Sequence, residues 1–506
     1  MTEIELKLRV QAADLPQIRA ALTRFAGKRA RQVKLTSLYF DTPQLTLLQA
    51  GAALRVRRVG QRWVQTLKSG GAVQGGMHVR EEQEWPVARP APDLSRLKPQ
   101  VLGLAWHDIA PQLVPVFSTT FQRSLWQITY QGSEIEAALD QGFVHAGERQ
   151  EGILELELEL KTGQPAMLYE LALELATLVS LAPDPVSKAE RGYRLFQGAP
   201  LIPVKAVAPQ LLQTQTVEQA FVAIVWNCLD QLQRNQLGVV ELNDPEFIHQ
   251  MRVAIRRLRS ALSLFSTAIP RASWEAWSAE LRWLATELGA ARDWDVLDQA
   301  LLPALIAHLK QHQALVYLPK RVKAERLKAR HKARLAVVSP RYGVLMLTLA
   351  RWLDARQWQV GASADQAALL QGAILPLAER LLAHRHQQVQ RRGRHLAKLS
   401  DEKRHLLRVT AKKLRYAAEF FVALYPPKLG QPYLAGLAAL QDVLGALNDN
   451  ATALHHVVQL CTSARDPRCH EEAGILQEWS ASNRRRQLQQ LDKAWKKYRQ
   501  QRPFWD

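Results

Sequence analysis

At 506 residues, with 47% hydrophobic and 23% charged side chains, the chain is too long for one ordinary core and too apolar to be disordered, so two or three globular domains are expected. Its net charge of +20 is uneven: residues 1–200 carry 23 Lys plus Arg against 21 Asp plus Glu, net +2, leaving 44 against 26, net +18, for the remainder. A basic half implies a polyanionic partner, whether nucleic acid, anionic membrane or polyphosphate, or else a solvated surface that only aids solubility. The absence of a basic, apolar leader and of any run of about eighteen uncharged apolar residues predicts a cytoplasmic chain that does not span a membrane.

The first eight residues, MTEIELKL, alternate Glu3, Glu5 and Lys7 with Ile4, Leu6 and Leu8. On a strand these sets face opposite ways. Asp14 to Phe25 reads as a helix, and short period-two segments follow: Leu35 to Thr42, Ala53 to Arg58, Trp63 to Lys68 and Val79 to Trp85, which predict a mainly antiparallel sheet. The glycine-rich SGGAVQGG after Lys68 is expected to be a flexible loop. Ser118 to Tyr130 contains Arg123, and Glu134 to Asp140 holds three acids at even spacing. In Ile153 to Leu160, ILELELEL, Glu155, Glu157 and Glu159 share one face. Three like charges on one strand face repel unless cations lie close.

Such strands can present charge to water through cross-strand ion pairs, or to an enclosed lumen. Seven strands that mix acids and bases on one face and apolar groups on the other favour the lumen. Carboxylates suit a hard divalent cation, and Lys and Arg suit phosphate oxygens.

These residues resemble the CYTH superfamily, the triphosphate tunnel metalloenzymes. Glu3-Ile4-Glu5-Leu6-Lys7 matches its ExExK signature, and the match continues through Tyr39-Phe40-Asp41-Thr42, Arg55-Val56-Arg57, Lys68, Arg80 with Glu82, Arg123, Glu136 with Asp140, Glu155-Leu156-Glu157 and Lys188 to Arg191. The resemblance implies an eight-stranded antiparallel tunnel that hydrolyses or cyclises triphosphates with Mg2+ or Mn2+. By that likeness Lys7, Arg55, Arg57, Lys68, Arg123 and Lys188 grip phosphate, Glu3 and Glu5 ligate one metal, and Glu155 and Glu157 hold a second metal or the attacking water, with Lys7 beside them as a catalytic group. Asp140 is added as a further metal-binding acid and Glu136 as a supporting one. His78 is expected to be incidental.

Residues 199–216, with Pro200, Pro203 and Pro209, read as a linker between a tunnel domain, 1–198, and a helical domain, 217–506. The helical part is duplicated, with repeats expected at about 217–360 and 373–500. HQMRVAIRRLRSALSLF from His249 and HLLRVTAKKLRYAAEFF from His405 align at an offset of 156, as do Leu288-Gly289 with Asp293 and Leu444-Gly445 with Asp449. Two motifs at one offset mark a repeat. On a helix, His249, Arg252, Arg256 and Arg259 fall within an arc of about 80°, and His405, Arg408, Lys412 and Arg415 repeat the ridge, with Glu419 intruding on it. Asp244 and Ser400 are expected N-caps. Stacked like charges call for a polyanion between them or for a face turned to solvent.

This half resembles the CHAD domain, an α-helical module that implies two pseudo-symmetric bundles binding inorganic polyphosphate along a basic channel. Asp293 and Asp449 match that pattern and are expected to orient the basic side chains or to cap helices. Cys228, Cys461 and Cys469, an odd number without CxxC spacing, are expected to be ordinary thiols.

The combined expectation is an α+β multidomain chain: a β tunnel followed by an all-α duplicated bundle. Together they would form an inorganic triphosphatase, yielding phosphate and pyrophosphate, with an attached polyphosphate-binding domain. The alternatives are nucleoside triphosphate hydrolysis or adenylate cyclisation in the same tunnel, or a non-catalytic binder of polyphosphate or, less favoured, nucleic acid.

Overall fold

The structure, a computed structural model, describes residues 2–97, 101–309, 315–462 and 466–506. It forms two compact units, Met1–Ile202 with Val338–Arg356, and Pro203–Val337 with Gln357–Asp506.

The first unit is built on β1 (Thr2–Val10), β2 (Arg31–Asp41), β3 (Ala52–Val59), β4 (Arg62–Gln74), β5 (Met77–Val87), β6 (Val114–Tyr130), β7 (Ser133–Ala146), β8 (Arg149–Thr162) and β9 (Leu181–Pro183). The sheet runs β5-β4-β3-β2-β6-β7-β8-β1-β9, and β5 pairs with β1, so eight antiparallel strands close into a barrel. Closure leaves each strand one inner and one outer face. The outward Leu6, Leu8, Leu156 and Leu158 are fully buried, and α1 (Leu15–Ala26) packs beside β6. Helices α2 (Ala166–Ala176) and α3 (Lys188–Phe196) complete the segment, and Ser187 caps α3 by accepting from the Glu190 amide at 3.1 Å.

The glycine-rich stretch expected as a loop is mostly strand. The β4–β5 ladder runs to Gln74, interrupted between Ser69 and Ala72 by an irregularity that Gly70 and Gly71 form at φ of +59° and +88°. A Cβ on Gly71 would lie 1.8 Å from the Val79 carbonyl oxygen. Glycine is used here to bulge the ladder rather than to end it.

The second unit is helical. The segment expected as a linker lies along it: the Val204 amide donates to Asn235 Oδ1 at 3.0 Å, and Arg257 donates to the Val207 carbonyl at 3.0 Å. Its principal helices begin with α4 (Val217–Arg234), α5 (Pro245–Leu264), α6 (Ala272–Val296) and α7 (Tyr317–Val337). Helix α8 (Pro340–Asp354), expected inside the first helical repeat, belongs instead to the barrel unit and packs on α2 and β9. Arg351 pairs with Glu170 at 2.8 Å, and Gly343 lets the helix approach β9, since a Cβ there would lie 1.8 Å from the Leu181 carbonyl oxygen. Its apolar periodicity is that of any buried helix, so sequence alone did not reveal which core it joins.

The chain then returns to the helical unit with α9 (Ile374–Gly393), α10 (Asp401–Phe421), α11 (Pro427–Thr462) and α12 (Pro467–Arg499). Asp244 caps α5 and Ser400 caps α10, each accepting a backbone N–H, as expected. Cys461 and Cys469 are not free thiols: they form a disulfide across a Cα–Cα distance of 5.5 Å, where the end of α11 turns back into α12. Cys228 is a buried thiol. Among the described residues no helix is long and apolar enough to cross a membrane.

Candidate active site in the barrel and basic seam in the helical unit

The barrel lumen is lined by Glu3, Glu5, Lys7, Arg55, Arg57, Lys68, Arg80, Arg123, Glu157, Glu159 and Lys188, with Tyr39 and Ser187. Strand alternation brings these residues inward from β1, β3, β4, β5, β6 and β8, and α3 delivers Lys188 at its first turn. Every residue expected to grip phosphate is therefore in one place.

Lys188 Nζ lies 2.6 Å from Asp140 and 2.8 Å from Glu157, and it also donates to Glu155. Arg123 forms two hydrogen bonds to Asp140, at 2.7 and 2.6 Å, and a third to Glu157 at 2.5 Å. Lys7 pairs with Glu157 and stands 3.2 Å from Glu5. Farther along the lumen Lys68 pairs with Glu3 and lies 3.6 Å from Glu82, while Arg57 donates to Ser37 at 3.0 Å. Most of the acids and bases thus satisfy one another, while Arg57 is bonded to a hydroxyl. The cavity among them is small, about 60 Å³.

The electrostatics follow. Burial alone would raise the Glu5 carboxyl, but Lys7, with Lys68 and His78 adding to it, brings the group down to about 2. Burial likewise opposes ionisation of Glu157, and Lys188, Lys7 and Arg123 overcome it, keeping the carboxylate well below its usual range. Glu3 is different: burial and the Glu5 charge raise it despite Lys68. Burial, then Arg55 and Arg123, pushes the Arg57 guanidinium down to about 10, so a bound anion would relieve a repulsion already present.

Asp140, Glu155 and Glu157 are buried and can bring ligand oxygens within 4.8 Å of one another, an oxygen donor set that could hold a hard divalent cation. Glu3 and Glu5 lie outside this triad, and each has its own lysine. Glu136 accepts from Gln127 at 2.6 Å, away from the triad. His78, expected to be incidental, is buried beside the centre. Its Nε2 meets the Asp184 carbonyl at 3.2 Å, and burial followed by the Lys7 charge lowers it to about 4. Its register opposite Glu5, at Cα partners Glu5–His78, becomes readable once the β1–β5 pairing is known. Asp41 accepts from the amides of Thr42, Leu47 and Leu48 and from the Tyr193 hydroxyl, so it braces the chain after β2 rather than facing a ligand.

In the helical unit α5 and α10 meet. Burial lowers Lys412 to about 7, with Arg256 and Arg408 adding to the effect. Burial, then Arg292, Arg256, Arg252 and Lys412, lowers His249 to about 3. These shifts require the two ridges to share a field. Arg252 reaches the Ala285 carbonyl at 3.1 Å through the gap that Gly289 leaves. Asp449 lies inside α11 and Asp293 in the last turn of α6, where a carboxylate is no cap for the free carbonyls, and their charges act on Arg252 and Arg408; of the two roles expected, this placement favours orienting the basic groups. Three motif positions lie toward the edge of the seam. Arg259 is exposed, Arg415 is tied to Glu419 at 2.6 Å, and His405 is exposed and bonded to Asn448 at 3.1 Å. Arg292 of α6, which bears on His249, was missed because it lies outside the helix that carries the repeated motif.

The fold and the linings define a charged β tunnel joined to a duplicated helical bundle with a cationic seam. Residues 1–193 match the CYTH domain and residues 223–458 the CHAD domain, and the chain is a CYTH–CHAD two-domain protein. It is 35% identical over 201 residues, 38% of this chain and 55% of the relative, to the inorganic triphosphatase of Haemophilus influenzae. It is 27% identical over 258 residues, 49% of this chain and 47% of the relative, to an uncharacterized protein of Mycobacterium tuberculosis. The chain thus spans about half the length of the curated relatives it matches. The crystal structure of the CHAD domain from the plant Ricinus communis aligns at a TM-score of 0.52 with 34% identity, covering 60% of this chain and 98% of that one.

Proposed function

We propose that the barrel hydrolyses inorganic triphosphate to phosphate and pyrophosphate with the help of Mg2+ or Mn2+, and that the helical unit binds inorganic polyphosphate. The observation that carries the first reading is Lys188 held by Asp140, Glu155 and Glu157 in a closed barrel that also holds Lys7, Arg55, Arg57, Lys68 and Arg123.

On this reading a triphosphate draws the lysines and arginines off the carboxylates. Arg57, already disfavoured by Arg55 and Arg123, gains most from an anion. The freed Asp140, Glu155 and Glu157 would hold a divalent cation, with Glu3 and Glu5 as a second acidic pair. Such a cation, when bound, neutralises phosphate charge and makes water a better nucleophile. Glu155 and Glu157 orient the attacking water in line with the terminal phosphorus, Lys7 holds the transferred group, and the closed wall excludes bulk solvent. The triphosphatase named among the relatives supports this substrate.

The test is release of phosphate from tripolyphosphate by the purified chain, with Mg2+ or Mn2+, beside ATP and an assay for cyclic AMP. Turnover of tripolyphosphate above ATP, lost in Glu5→Gln, is expected; no release, or equal release by the variant, overturns the reading. For the helical unit, Arg256→Glu with Lys412→Glu should abolish retention of long-chain polyphosphate while tunnel hydrolysis persists. Unchanged retention would remove the seam from consideration.

A further inference from the structure

Among the differences between the two helical repeats, one opens a cavity. Between α10, α11 and α12 of the second copy opens a cavity of about 640 Å³, walled by Leu406, Leu444, Leu447 and Leu454. At the offset of 156 the first copy has Gln250, Leu288, Ala291 and Asp298 in their place, and Trp294 where the second has Asn450. There Gln250 is buried and donates to Glu246, Asp298 is tied to Arg326 at 3.0 Å, and the Trp294 ring stands 4.9 Å from that of His456. Three of the four wall positions are therefore not leucine in the first copy, and Leu406 is 48% exposed at the mouth of the second.

Inorganic polyphosphate has no apolar part and does not account for a leucine wall. The charges around the cavity are ordered. Arg404 and Arg484 are both bound to Asp401, at 2.9 and 2.5 Å, which offsets part of their charge on that side. Arg408 lines the cavity, has a buried Nε without a hydrogen-bond partner, and continues the ridge toward Lys412 and Arg256. Asn448 and the buried Asn450 sit among the leucines. Asn448 is bonded to His405 and Thr452, while Asn450 donates its amide nitrogen to the Ser480 carbonyl at 3.3 Å. The Asn450 carbonyl oxygen is therefore the acceptor that an alkyl chain would bury without a donor. A ligand with a flat apolar face, a hydrogen-bonding edge and an anionic tail satisfies all three features, and the volume lies in the range of small-molecule sites, about 300–1,000 Å³.

We propose that this cavity seats the base and sugar of a nucleoside polyphosphate, its phosphates running past Arg408 onto the α10 ridge. The inference rests on the reading of that ridge as a polyphosphate site and adds a nucleoside specificity to one end of it.

The full chain, in EDTA to silence hydrolysis, is photolabelled with 8-azidoadenosine triphosphate and the modified peptides are mapped by mass spectrometry. Saturable labelling within 401–454 or 476–490, suppressed by ATP, is expected. It should fall about tenfold or more in Ala451→Trp, which fills the cavity from an exposed lining position; Ala451→Glu, smaller and repelling phosphate, should act likewise if the tryptophan variant does not fold. Label confined to barrel strands, label unchanged in a folded variant, or label displaced by dodecanoate and not by ATP overturns the proposal. Long-chain polyphosphate retention is measured on the same samples. Retention without helical labelling overturns the nucleoside site alone, and labelling without retention upholds the cavity and overturns the ridge.

Discussion

Lys188 Nζ stands 2.8 Å from Glu157 Oε1 in the centre of the barrel, and Glu157 is shared with Lys7 and Arg123. Removing its charge therefore leaves three buried cations short of a partner. Glu157→Gln is expected to lower the stability of the ligand-free chain by about 3 kcal/mol and to slow hydrolysis strongly, yet to bind tripolyphosphate no more weakly than the native chain. Thermal unfolding with and without tripolyphosphate, beside a turnover assay, checks this; a variant that loses binding and turnover in parallel contradicts it.

Glu5 ionises at about 2 in the folded chain against an ordinary 4.5. A depressed carboxylate contributes stability that is fully present above pH 4.5 and is lost as pH falls toward 2. Denaturant unfolding at pH 6, 4.5, 3.5 and 2.5 should show the native chain losing this increment while Glu5→Gln, which has nothing to titrate there, shows a shallower decline.

Lys412 is lowered from 10.5 to about 7, so at pH 8 much of it is neutral. A polyanion favours the ammonium and raises this value, so binding takes up protons at pH 8 and affinity falls as pH rises from 7 to 9. Calorimetric titration of polyphosphate in buffers of different ionisation enthalpy reads the uptake directly. Lys412→Met should diminish it.

Gly289 and Gly445 are repeat partners with different surroundings. A Cβ at Gly289 meets Arg252 Nη1 at 2.5 Å, whereas Gly445 has nothing within 4 Å. Gly445→Ala should stabilise the chain by about 0.5–1 kcal/mol with polyphosphate retention intact. Gly289→Ala should fold, because the arginine end can swing away, and should bind polyphosphate less well. Equal binding by both variants would show that the Arg252 position does not matter.

A good part of this was legible in the sequence, and for identifiable reasons. Period-two alternation in ILELELEL and MTEIELKL fixes which side chains share a face, and closure of the sheet turns that face into a lumen. The repeat offset located both capped ridge helices. What escaped depends on contacts remote in sequence. Asp140, Glu155 and Glu157 are all expected as metal-binding acids, but that these three converge comes from β7 pairing with β8 in the register Asp140–Glu155, which strand alternation alone does not give. His78 became visible through a β1–β5 pairing about 70 residues apart. The Cys461–Cys469 link needed the fold-back of α11 into α12, which spacing of eight residues does not announce.

The return of α8 to the barrel unit governs how the chain is made and how it can be cut. During synthesis the strands emerge first, but the surface formed by β9 and α2 stays uncovered until the ribosome has passed residue 354. An expression clone stopped near residue 202 would carry every lumen residue and still expose that apolar face. Such a fragment should aggregate, and supplying Val338–Arg356 in trans should help to keep it in solution.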